Sequence, residues 1–234
     1  SRVSDAFNAA DQIEFTGGKK NTINFEFVKG RLKARYNSLS PQAAVRYFEK
    51  LYKDNRTNEN KYAYISALQS NGQTDQALRV MNEILLKFPK NLILNITKSE
   101  ILLSGQRLGD AQKSIDQVLN ISPGNYPASI IKSKILSSKK EFIEAEEILR
   151  DLLISKNRDP YLWMQLSEVQ RAGKNIVGYH LSRGEYYTLI GDFDNALNQF
   201  QFALSLSGNS FQATETIMTK IKFARERLGK RRGL

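Results

Sequence analysis

Four alanines, Ala43, Ala77, Ala111 and Ala145, follow one another at intervals of 34 residues. Pro89 and Pro123 keep the same interval, each twelve residues beyond its alanine. A fixed period of this length requires a unit with one apolar face for the unit before it and another for the unit after it. Around each alanine the apolar residues recur at helical spacing: Ala77 with Met81 and Ile84, Ala111 with Ile115 and Val118, Ala145 with Leu149 and Leu152. Gln73-Thr74-Asp75, Gly109-Asp110 and Glu141 open these helices. Pro89, Pro123 and Pro160 lie just beyond them, where proline stops a helix from continuing.

After Ala145 the beat changes. The next matching alanine is Ala196, 51 residues on, which is one and a half periods. The surrounding stretch, Tyr179–Ser207, holds the clearest hairpin signal in the chain. Leu181, Gly184, Tyr187 and Leu189 fall near one helix face, and Gly191 is placed to end that helix in a left-handed cap. Asp192 can cap the next helix, with Asp194 in its first turn, where the helix dipole favours negative charge. That helix carries Phe193, Ala196, Leu197, Phe200, Ala203 and Leu204 at helical period. The half-step is explained if the helix at about 175–190 serves two hairpins: it closes the one begun by Tyr161–Ala172 and opens the one closed by Phe193–Ser207.

Upstream, residues 1–16 suggest a short helix capped by Ser4 or Asp5, and GGKK at 17–20 a flexible break. A helix over 22–37 would turn Ile23, Phe27, Gly30 and Ala34 inward. Ser40-Pro41 starts the next one, bearing Ala43, Ala44, Tyr47, Phe48 and Leu51. A last helix, about 210–228, would present Phe211, Ile217, Ile221 and Leu228 as a cap with a polar outer side. Five full hairpins and one extra helix follow. The expected organisation is an N-terminal segment and linker at 1–20, helical hairpins at 21–209, and a capping helix with a basic tail at 210–234.

A period of 34 residues with two helices per unit resembles the tetratricopeptide repeat. Fragments of its consensus stand as Trp163 with Leu166, and as Gly184, Tyr187, Ala196, Phe200 and Ala203. The resemblance implies an all-α, right-handed superhelix (an α-solenoid) of about 12 helices.

Charge separates the classes of partner such a solenoid could serve. The net charge of +11 is not spread evenly. Residues 1–53 hold ten Lys and Arg against five Asp and Glu, and residues 220–234 hold seven against one, while 54–219 hold eighteen of each. A solenoid that tracks a phosphate backbone spreads cations along its binding face, because each neutralised phosphate adds affinity. The neutral body therefore argues against nucleic acid, and the basic Lys220–Arg232 end leaves a weak contact with anionic membrane as an expectation. No apolar run approaches the roughly 18–20 residues that span a bilayer. With no cysteine the chain has no disulfide and no thiolate metal site.

The flanks narrow the resemblance. SRVSDAFNAADQIEF and FEFVKGRLKARYN at the start, with HLSRGEYYTLIGDFDNALNQFQFAL near the end, resemble the C-terminal half of the BepA-type periplasmic zinc metallopeptidases. In that family an HExxH protease domain precedes tetratricopeptide repeats. The resemblance implies a periplasmic chain and partners among outer-membrane β-barrel clients or their assembly machinery, besides a protease domain of its own in cis. It also implies zinc, but only in the protease domain. HExxH sets two histidines one turn apart with Glu as general base, and this sequence has one histidine, His180, and no cysteine. The chain is thus expected to be non-catalytic and without a cofactor. A stand-alone scaffold or adaptor is the alternative.

In tetratricopeptide solenoids the first helix of each hairpin lines the binding groove. The 34-residue frame then places Arg35, Tyr62, Gln69, Ile96, Glu100, Lys134, Met164, Glu168, Arg171 and Glu185 toward that groove, with Ser66, Ile130 and Leu181. This mixture of apolar and charged residues suits an extended or helical polypeptide. The places where a C-terminal carboxylate clamp needs Lys, Asn and Arg hold Tyr62, Ser66, Ile93 and Thr97, which argues against such a clamp. Ala43, Ala77, Ala111, Ala145, Trp163, Gly184, Tyr187, Gly191, Ala196 and Phe200 are expected to be structural. His180 is expected to be packed or at the surface, and Arg2 and Asp5 to face a neighbouring domain.

Overall fold

The computed structural model describes residues 23–208 and 211–232, with side chains up to residue 230 in the last helix. Among them are twelve helices and no strand. In chain order these are α1 (Ile23–Arg35), α2 (Pro41–Asp54), α3 (Asn58–Ser70), α4 (Thr74–Lys87), α5 (Leu92–Ser104) and α6 (Leu108–Ile121). There follow α7 (Tyr126–Ser138), α8 (Phe142–Ser155), α9 (Pro160–Ala172), α10 (Ile176–Leu189), α11 (Phe193–Leu206) and α12 (Phe211–Arg232). No helix among the described residues is long and apolar enough to cross a membrane. The expectations placed on residues 1–20, including the Ser4 or Asp5 cap and the roles of Arg2 and Asp5, lie outside the described residues.

Two alternating turns write the period into the backbone. Odd-numbered helices are opened by Thr57, Asn91, Asn125 and Asp159, again 34 residues apart, each side chain accepting a backbone N–H of the first turn. Such a cap satisfies a donor that the helix leaves unpaired. The same helices end in a residue with positive φ: Gly72 (73°), Gln106 (58°), Lys140 (68°) and Lys174 (61°). The N–H of the next residue then reaches back five positions, as from Arg107 to Leu102 O at 2.9 Å. Gly191 (φ 78°) repeats this turn only 17 residues later, with Asp192 N bonded to Tyr187 O at 2.9 Å. The half-step is therefore one hairpin turn used twice in succession. α10 packs against both α9 and α11.

The chain divides into two compact units, 1–114 and 115–234, the boundary falling within α6. In the first unit, α2 packs on α3, α3 on α4 and α4 on α5. In α4, α6 and α8 the fourth residue is an alanine, and Ala77, Ala111 and Ala145 are all fully buried. In α2 that place belongs to Ala44, which is buried, while Ala43 is only half-buried. The signature position is thus Ala44, because α2 begins 33 residues before α4 rather than 34. Tyr47, one turn on, is exposed for the same reason.

The second unit has two apolar clusters. One joins α7, α8 and α9 through Leu136, Ala145, Leu149, Leu162 and Leu166. The other joins α11 to α12 through Ala196, Phe200, Ala203, Ile217, Ile221 and Ala224, with Leu181 and Tyr187 of α10 against it. Gly184 is buried because a Cβ there would overlap the Phe200 ring. Trp163, expected as core, is half-buried against the first cluster, its indole N–H donating to Asn157 O at 2.7 Å. Of the residues expected on the inner face of α12, Ile217 and Ile221 are buried, joined by Ala224, whereas Phe211 is exposed.

Candidate protein-binding faces

The odd-numbered helices present two faces, one in each unit. In the first unit the face of α3 and α5 is covered by α1. This helix packs mainly on α3 and not on its sequence neighbour α2, so it does not form the expected first hairpin. Its buried residues, Phe27, Gly30 and Ala34, are spaced for one helix face. Phe27 is fully buried, 5.5 Å from the Tyr62 ring and edge-on to Phe88 at 5.9 Å. A Cβ on Gly30 would overlap the carbonyl oxygen of Glu59 and lie 3.1 Å from Ala63 N, so the glycine permits a near backbone-to-backbone approach.

Polar contacts fix the register of α1. Arg31 Nη2 donates to Glu100 Oε1 at 3.0 Å, Asn91 Nδ2 to Asn24 Oδ1 at 2.7 Å, and Asn58 Nδ2 to Glu26 Oε2 at 3.1 Å. Lys33 pairs with Glu59. Burial disfavours the Arg31 cation, yet its interactions with the Glu100 carboxylate and the Tyr62 phenol together offset this and raise its pKa. Burial likewise pushes the Tyr62 phenol up, its hydroxyl sharing a hydrogen bond with Thr97 Oγ1. Glu100 Oε2 is buried without a hydrogen-bond partner. Beside the last turns of α1 a cleft of about 350 Å³ remains, bordered by Arg31, Ala34 and Arg35 of α1 and by Ser66, Gln69, Ser70, Thr97 and Ser104.

These facts revise part of the expected groove. Tyr62 is fully buried and Ile96 and Ile130 are nearly so. They occupy the fifth position of their helices, as does half-buried Met164 in α9, so what packs over each residue, and not its register, decides its burial. Arg35 and Gln69 do border the cleft, and Glu100 lies beneath α1 with its side chain 17% exposed.

In the second unit the α7 and α9 face carries charge in the open. Lys134 Nζ donates to Tyr161 Oη at 3.2 Å and lies 5.8 Å from the ring centroid. Glu168 and Arg171 form an exposed pair one turn apart, with Arg171 Nη2 donating to Glu168 Oε2 at 2.8 Å. That pairing raises the Arg171 pKa. Met164, half-buried, lies one turn before Glu168 on the same side of α9. Glu185 is not on this face, since it pairs with Lys220 of α12.

His180 and the tyrosines beside it are packing residues. The imidazole stacks on Phe202 at 5.3 Å and its Nδ1 lies 2.8 Å from Gln199 Oε1. Arg183 lies over the rings of Tyr186 and Tyr187 and donates to Tyr187 Oη at 2.9 Å. No cluster of three His, Cys, Asp or Glu able to hold a metal exists among the described residues. A network that periodicity does not reveal links α8, α9 and α10: Ser182 Oγ donates to Gln170 Oε1 at 2.7 Å, and Gln170 Nε2 to Glu146 Oε2 at 3.1 Å. Only the polar residues at otherwise apolar helix positions could have signalled it.

No protein-family model matches the sequence, and no curated protein does. Solved structures are similar in fold. A tetratricopeptide repeat protein from Parabacteroides merdae superposes with a TM-score of 0.52 at 17% identity, over 94% of this chain and 90% of that one. The tetratricopeptide repeat protein TTC0263 of Thermus thermophilus gives 0.51 at 18%, over 86% and 99%. The APC/C hetero-tetramer Cut9–Hcn1 gives 0.54 at 13%, over 96% of this chain but 46% of that one. Together with twelve helices, recurrent hairpin turns and a 34-residue period, these similarities show that the chain has the all-α tetratricopeptide-repeat fold.

Proposed function

We propose that this chain is a non-catalytic scaffold that binds segments of partner proteins on the faces of its odd-numbered helices. The observation that carries the reading is the α7 and α9 face, where half-buried Met164 lies among Lys134, Glu168 and Arg171. An apolar anchor ringed by charges of both signs suits a polypeptide, in which a few anchors supply most of the affinity. Site-specific photo-crosslinking tests it. A photoreactive residue at Met164 should yield discrete protein adducts in native cells, whereas one at Ile154, 81% exposed on α8, should not. Equal labelling at both positions would overturn the reading.

A finer reading rests on the flanking segments, SRVSDAFNAADQIEF and HLSRGEYYTLIGDFDNALNQFQFAL. We propose that the chain is the repeat domain of an exported zinc metallopeptidase of the BepA type, acting in the periplasm on outer-membrane β-barrel proteins or their assembly machinery. Zinc would belong to the protease segment, and the basic face of α12 would add a weak contact with anionic membrane. Reading the gene upstream of Ser1 tests this: an HExxH-bearing domain behind an export signal supports it, and an adjacent start codon without one removes it.

A further inference from the structure

The seating of α1 is that of a ligand. The other odd-numbered helices from α3 to α9 join their successor through the same left-handed turn. α1 instead leaves through residues 36–40, with Tyr36 and Leu39 exposed, and lies across α3 toward α5. Its whole buried face is spent on that surface: Phe27 on Tyr62 and Phe88, Gly30 on the α3 backbone, Arg31 on Glu100. The match is incomplete at two places. Glu100 Oε2 stays buried without a donor, and a cleft stays open between the last turns of α1 (Arg31, Ala34, Arg35) and Ser66, Gln69 and Ser104.

We propose that the α3 and α5 face is a receptor site for an amphipathic helix of a partner protein, and that α1 is its competitor in cis. The recognised pattern is an aromatic residue at i, glycine at i+3, arginine at i+4 and alanine at i+7, as in Phe27, Gly30, Arg31 and Ala34. The glycine is the strictest element, because any side chain there meets the Glu59 carbonyl. A partner helix displaces α1 by supplying a second donor to Glu100 and by filling the cleft that α1 leaves open beside its last turns. Leaving a buried acceptor unmatched penalises α1, and satisfying it favours the newcomer. This deepens the proposed scaffold function and rests on it.

The test uses the full chain with a specific protease site inserted between Ser38 and Leu39, and a fluorescent peptide spanning Ile23–Arg35. Before cleavage the peptide should bind at least about 100-fold more weakly than after it, since a helix on a short tether has a millimolar effective concentration. After cleavage the released 1–38 fragment should exchange for the peptide. A Gly30→Leu peptide should not bind, and an Arg31→Ala peptide should bind roughly tenfold more weakly or worse. Glu100→Gln in the cut chain should weaken the native peptide likewise. As a second route, Gly30→Leu in the uncut chain should expose the face and admit the peptide without cleavage. Equal binding before and after cleavage, tight binding of the Gly30→Leu peptide, or collapse of the cut chain once 1–38 is removed would each overturn the proposal. So would a concentration-dependent dimer of the uncut chain that exchanges α1, which would make a second copy the ligand. Refusal of the peptide alongside specific adducts at Met164 would remove this receptor site and leave the scaffold function standing.

Discussion

Residues at the same register of α3, in the first unit, and α9, in the second, meet different fates. The fifth residue is Tyr62 in α3 and Met164 in α9. Tyr62 is fully buried beneath Phe27, with its hydroxyl on Thr97, whereas Met164 is half-buried beside an exposed Glu168–Arg171 pair. The ninth residue tells the same story, since Glu100 is capped by Arg31 while Lys134 rests on Tyr161 near solvent. The repeat register alone does not make a surface; what covers it does.

The largest test of this contrast removes the cover. Phe27→Ala should cost about 3–5 kcal/mol, the usual loss for a fully buried aromatic. The same deletion on the open face, Met164→Ala, should cost about 1 kcal/mol, because less apolar area leaves the interior. Chemical denaturation read by circular dichroism measures both, and hydrogen exchange assigns each loss to its unit. Equal losses would abolish the distinction between a covered and an open face.

Tyr62→Phe should cost about 1 kcal/mol at neutral pH through the lost bond to Thr97. It also carries a pH signature. The folded pKa of Tyr62 lies above the unfolded value of about 10, so the stability this neutral phenol contributes is complete below pH 10 and is lost as pH rises through the folded pKa. The variant should therefore lose less stability than the native chain between neutral and strongly alkaline pH. A residual slope is expected, since burial raises the pKa of Tyr64 and Tyr126 as well.

The smallest test lies in the hairpin turns. Each unit places glycine at this left-handed position once, at Gly72 and at Gly191, and side-chain-bearing residues at the others, Gln106 in the first unit and Lys140 and Lys174 in the second. Lys140→Gly should stabilise the second unit by about 0.5 kcal/mol, the relief of a left-handed side chain partly offset by glycine entropy. Gly72→Ala should destabilise the first by about 1 kcal/mol. Thermal melts that move both variants in one direction would show that these turns are not equivalent.

Much of this fold was legible in the residues. The alanine spacing located the helices because Ala77, Ala111 and Ala145 each sit fourth in their helices, where only a small side chain lets a neighbouring helix approach. Gly191 announced its turn, since glycine is favoured at that φ. Gln106, Lys140 and Lys174 adopt the same conformation with ordinary side chains and gave no such notice. Ala43 was preferred to Ala44 because strict counting ignores a turn shorter by one residue. The candidate site was less legible. Arg35 and Gln69, expected toward the groove, border the cleft, while Tyr62 and Ile96, expected there too, are buried, because the register says which side a residue faces and not what lies over it.

The sequence by itself determined the helices, their pairing and the half-step after Ala145, because these follow from local capping, helical period and the reach of short turns. Only the tertiary structure decided that α1 abandons α2 for the α3 and α5 face. That choice rests on contacts between residues up to 69 apart, Arg31 with Glu100 among them. Gly30 makes it sterically open and Phe27 makes it favourable, and neither residue names its distant partner.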